Sequence, residues 1–71
     1  MVLSCSVIIA DEQQRADFCK RLKVLGGLPC EIGKEVVLLY AGDEETINQL
    51  IGLVEEYPDH KVQISHKSPL F

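Results

Sequence analysis

From Val2 to Ala10 apolar and polar residues alternate. Leu3, Cys5, Val7 and Ile9 fall on one side, and Ser4, Ser6 and Ile8 on the other. Period two with small polar groups on one side predicts a strand covered on one face. At Asp11 the period changes. Phe18, Leu22 and Leu25 recur at helical spacing with Cys19 beside them, while Glu12, Arg15, Lys20 and Lys23 fall mainly outside. Asp11 is placed to cap this helix, with Gln14 three residues on as capping-box partner. Gly26-Gly27 ends it, because glycine reaches the left-handed cap geometry without steric cost.

Leu28 to Ile32 reads as a short second strand, with Leu28, Cys30 and Ile32 inward and Pro29 and Glu31 outward. Proline has no amide donor, so this strand belongs on an edge. Ile32-Gly33-Lys34-Glu35 suits a two-residue hairpin turn. It leads into Glu35 to Gly42, the richest run of strand formers in the chain. A two-residue turn puts Val37, Leu39 and Ala41 on the side of Ile32, leaving Val36, Leu38 and Tyr40 on the opposite, open face. A three-residue loop would reverse the two sets. Either way, large apolar groups face away from the helices.

A second helix starts at Asp43, with Glu44 and Glu45 in its first turn, where the helix dipole favours negative charge. Ile47, Leu50, Ile51 and Val54 keep amphipathic spacing, and Tyr57-Pro58 closes the helix. His60 to Lys67 reads as the last strand, with Val62 and Ile64 inward and Lys61, Gln63, Ser65 and Lys67 outward. The tail Ser68 to Phe71 is either loose or laid along an edge. The order βαββαβ, with right-handed crossovers, predicts a ferredoxin-like α+β sandwich. Its four antiparallel strands would run 4-1-3-2 in space, and residues 1–71 would form one domain.

Composition changes this picture little. The apolar fraction of 46% and charged fraction of 25% are those of a globular chain. At 71 residues the core is small, which favours a second subunit as a source of further burial. A net charge of −4 argues against nucleic acid as a partner. Lys20, Arg21 and Lys23 form a local basic patch that reads as a solvated helix face. The longest apolar run, Val36 to Ala41, is far short of the ~20 residues a membrane span needs. The first ten residues are fairly apolar but lack a basic n-region and end in an acidic helix start, so they do not read as a secretory signal. The expectation is a cytoplasmic protein without membrane contact.

Candidate chemistry is sparse. Cys5, Cys19 and Cys30 lack the paired spacing of zinc or redox motifs. In the expected order Cys5 and Cys30 lie two strands apart, roughly 9 to 10 Å, too far for a disulfide. All three fall on inward positions and read as small hydrophobes. His60 and His66 are about 20 Å apart along a strand, too far to share a metal. The loop after the first strand carries no arginine for phosphate chemistry, and Gly26-Gly27 follows a helix, the reverse of a phosphate loop. No enzyme activity, metal or cofactor is expected.

Gly33-Lys34 leading into Val36-Val37-Leu38-Leu39, an acidic helix start, apolar Leu50, Ile51 and Val54, the pair Tyr57-Pro58 and His66 near the end of the last strand form a sequence of features. Over the second half of the chain this pattern resembles the NapD family, the maturation chaperones of periplasmic nitrate reductase. The family's Pro-Gly-Val after each helix is replaced here by Gly26-Gly27-Leu28-Pro29 and Pro58-Asp59-His60. The resemblance implies a cytoplasmic chaperone that holds a partner's arginine-containing signal peptide on its open sheet face. Gly26-Gly27 is also similar to the glycine position of ACT-type domains, which pair and bind an amino acid. A homodimeric interaction module of no named family is the third reading. In the chaperone and homodimer readings the open face is the site, with Ile8, Val36, Leu38 and Tyr40 as its expected anchors for a basic signal peptide or a second copy of the chain.

Overall fold

Strand β1 (Val2–Ile8) is one of the two inner strands of the sheet and pairs on both sides. In the computed structural model, which describes residues 1–65, helix α1 (Glu12–Val24) follows β1. Strands β2 (Cys30–Ile32) and β3 (Glu35–Ala41), helix α2 (Glu44–Val54) and strand β4 (His60–Ser65) complete the order. All strand pairs are antiparallel and the sheet runs β2-β3-β1-β4. This is the expected ferredoxin-like α+β arrangement. The expected continuation of β4 to Lys67, together with His66 and the tail from Ser68 to Phe71, lies outside the described residues.

Each helix begins and ends for a local reason. The Asp11 carboxylate accepts from the backbone N–H of Gln13 at 2.8 Å and of Gln14 at 3.1 Å, filling two donors the first turn leaves open. At the other end Gly27 N–H donates to Leu22 O at 2.9 Å and Gly26 N–H to Lys23 O at 3.0 Å. These two bonds are the Schellman pattern, and they require the left-handed φ of +96° that Gly26 adopts. Asp43 caps α2 through Thr46 N–H at 3.3 Å. That bond to Thr46 lowers the Asp43 pKa below its ordinary 3.8.

The core lies between the sheet and both helices. Leu3, Cys5 and Val7 of β1 and Val36 and Leu38 of β3 meet Phe18 and Leu22 of α1 and Ile47, Leu50, Leu53 and Val54 of α2. Phe18 also meets Tyr57 edge-on, with ring centroids 4.8 Å apart.

The hairpin has the expected two-residue turn: Ile32 pairs with Glu35, and Gly33 takes φ +63°. The faces on either side of it are the reverse of the expectation. Val36 sits opposite Val7 and Leu38 opposite Cys5, so both share the helix-covered face of β1 and are 1% exposed. Tyr40, opposite Leu3, lies on that face too and packs half-buried against the core. Ile32 is correspondingly on the open face, as is Cys30, which is exposed. The reading that Leu28, Cys30 and Ile32 point inward therefore fails: Leu28 is 84% and Ile32 61% exposed. Val62 and Ile64 do lie on the helix side, opposite Cys5 and Leu3, but at its margin, and both stay more than a third exposed.

Candidate binding surface

The side of the sheet without helices is assembled from cross-strand neighbours. Ile32, Glu35 and Ile8 form one row across β2, β3 and β1. Cys30, Val37, Ser6 and Lys61 form the next, running on to β4. Leu39, Ser4 and Gln63 form the third, and Ala41, Val2 and Ser65 the last. The face is split lengthwise. Apart from Glu35, the β2–β3 half is apolar, with Leu39 70% exposed and Ile32 at its end. The β1–β4 half is polar along Ser4, Ser6, Lys61 and Gln63, with Ile8 and Val2 at its two ends.

Of the seven basic and eleven acidic side chains in the sequence, this face carries Glu35 and Lys61 among the described residues. A contiguous apolar strip with so little charge is what an interaction surface presents. Of the four anchors expected from sequence, Ile8 alone lies there, 53% exposed. Val36 and Leu38 are core residues, and Tyr40 lies on their side of the sheet. The apolar groups the face does present are Ile32, Val37 and Leu39, with Cys30 and Ala41 between or beside them. Val37 and Leu39 were legible as the alternative set; Ile32 and Cys30 were hidden by the inward reading of β2.

The cysteines divide in the same way. Cys30 is exposed on the open face, while Cys5 and Cys19 are buried. Burial raises the pKa of the Cys5 thiol. Cys19, on α1, donates its S–H to Glu31 Oε1 at 3.2 Å, tying the helix to the edge strand β2. Burial, that hydrogen bond and the charge of Glu31 push the Cys19 thiol up to about 11, against smaller opposing effects of Lys23 and Arg15. Such a thiol is a poor nucleophile at neutral pH. Arg15 donates from Nη1 to Ile9 O at 2.9 Å, closing the loop after β1 from the inside.

On the opposite side of the molecule, Val24, Leu25, Gly52 and Leu53 floor a groove between the helices. Arg21 and Glu56 bridge its mouth at 3.3 Å, both substantially exposed. Gly26 and Gly27, the residues that suggested an amino-acid site, are accounted for by the helix end and by packing. A Cβ on Gly27 would stand 3.1 Å from Leu38 Cδ1 and 3.2 Å from Leu22 O. No group of three or more His, Cys, Asp or Glu side chains able to hold a metal ion is present among the described residues. No helix among them is long and apolar enough to cross a membrane.

The fold thus defines the chain as a ferredoxin-like α+β domain with one uncovered sheet face. Compared with protein-family models, with curated proteins and with solved structures, the chain matches none.

Proposed function

We propose that this chain is a non-catalytic binding module that holds an amphipathic peptide helix of a partner protein on its open sheet face. The observation that carries the reading is the apolar strip along β2 and β3. Two strand spacings are about 10 Å, the diameter of one α-helix. The seven residues of β3 extend about 24 Å, enough for a helix of roughly 16 residues. Ile32, Val37 and Leu39 supply the apolar contacts, and Ser4, Ser6 and Gln63 flank the helix with hydrogen-bonding groups. The net charge of −4 favours the approach of a basic peptide.

The resemblance to the NapD chaperones points to the same use, with the arginine-containing signal peptide of a partner enzyme as the ligand and the cytoplasm as the place of action. The structural correction moves the anchors from Val36, Leu38 and Tyr40 to Ile32, Val37 and Leu39, leaving Ile8 in place. Calorimetric titration with an arginine-containing signal peptide tests the reading. The wild-type chain is expected to bind, and Leu39→Asp, whose exposed side chain leaves the core intact, to bind at least tenfold more weakly. Equal binding by both proteins contradicts it.

A further inference from the structure

Independently of the open face, we propose that the outer edge of β4 takes up an extended segment of a partner protein as a fifth strand, one that alternates apolar residues and carries an acid. The sheet has two outer edges, β2 and β4. β2 is three residues long, and Pro29, without an amide donor, lies just before it. β4 has six residues, no proline and an unbroken register against β1. Of the devices that shield edge strands it has one lysine, Lys61, and neither proline nor bulge.

The register fixes which backbone groups of β4 are unused. Ile8 N–H donates to Asp59 O at 2.9 Å. Ladder bonds alternate along an antiparallel pair, so Lys61 and Gln63 turn their N–H and C=O inward, to Ser6 and Ser4. Those of Val62 and Ile64 point away from the sheet, where no described strand follows. Their side chains lie on the helix side and remain 36% and 38% exposed. Bare ladder groups beside half-covered apolar side chains fit a strand and not a helix, because only an extended chain presents N–H and C=O at the matching spacing. In an antiparallel partner strand, the residues opposite Ile64 and Val62 would fall on the helix side and extend the core over both. Those opposite Gln63 and Lys61 would fall on the open face. In the partner's own order these positions read apolar, polar, apolar, acidic. The acid follows from charge, since β4 carries His60 and Lys61 and no carboxylate. A second β4 would bring another lysine instead, so a copy of this chain is the poorer fit.

Amide chemical shifts and hydrogen exchange of the labelled chain, titrated with the capped peptide Ser-Val-Thr-Val-Glu-Val-Ser, test this. With the peptide bound, the Val62 and Ile64 amides should shift and exchange at least tenfold more slowly. Val62→Pro removes one outward donor without touching the bonds to β1, and should weaken binding at least tenfold. Lys61→Glu should weaken it about threefold. A peptide with lysine in place of the glutamate should bind that variant as the first peptide binds the wild type. The exchange and charge-reversal results decide the matter even if Val62→Pro fails to fold. Leu39→Asp should bind this peptide like the wild type, which separates the edge from the helix site proposed on the open face. No slowed amide in β4, slowing at Cys30 and Ile32 of β2 instead, or loss of binding in Leu39→Asp overturns the proposal, whatever becomes of the open-face reading. Protection of Val62 and Ile64 in the free chain that rises with concentration also overturns it, by giving the edge to a second copy.

Discussion

Neighbouring residues of β3 have opposite fates, and their own sequence does not say which. Val36-Val37-Leu38-Leu39 is apolar throughout, so alternation within the strand leaves its two faces equivalent. Ser4 and Ser6 mark the outer side of β1 unambiguously, and the direct pairing of Val7 with Val36 and Cys5 with Leu38 carries that assignment into β3. That pairing is a tertiary fact with no local signature. Truncation should expose the difference. Leu38→Ala, at a side chain 1% exposed, is expected to cost about 2 to 5 kcal/mol, and Leu39→Ala no more than about 0.5 kcal/mol, measured by urea unfolding. The thiols give a second check. Near neutral pH one thiol per chain, Cys30, should react quickly with a disulfide reagent, and Cys5 and Cys19 only on unfolding. Cys19 also predicts a pH effect. Its folded-state value of about 11 lies above the ordinary 9.0, so the fold favours the protonated thiol. Its contribution to stability is full below pH 9 and is lost as the pH rises toward 11. The stability gap between wild type and Cys19→Ala should narrow over that interval in urea titrations.

The elements themselves were far more legible than their faces. Helices expected near 11–25 and 43–57 occupy 12–24 and 44–54, because Asp11, Asp43 and Gly26-Gly27 act through bonds between near neighbours. The hairpin turn was legible for the same reason, since Gly33 at φ +63° is what a two-residue connection demands. β2 was misread because three residues are too few for an alternation to identify the core side. Its edge position was read correctly from Pro29. Two substitutions probe these local devices in thermal unfolding. Asp11→Ala should cost about 1 kcal/mol through the lost cap. Gly33→Ala should cost about 1 to 2 kcal/mol, because a Cβ in the left-handed region is strained even though space is open around it. Asp43 adds an acid-side effect. Its lowered pKa means that its contribution is present above 3.8 and lost as the pH falls below that value.

For the whole molecule, the fold followed from element order, and the existence of an uncovered apolar face followed from the surplus of apolar residues on β3. Which residues line that face followed from the sheet's register. The molecule has two sides of different character: a charged helix layer bridged by Arg21 and Glu56, and a sheet face on which Glu35 and Lys61 are the described charges. For the proposed binding role the sheet side offers the exposed Ile32 and Leu39, and the division between its β2–β3 and β1–β4 halves sets where a helix would lie. Amide chemical-shift mapping of the labelled chain, titrated with an arginine-containing signal peptide at concentrations where the free chain is monomeric, tests this most directly. The account predicts that the largest shifts cluster at Ile32, Val37, Leu39 and Ala41, with smaller ones at Ser4 and Ser6. Shifts confined to Arg21, Val24, Gly52 and Glu56 on the helix side, or no shifts at all, would contradict it.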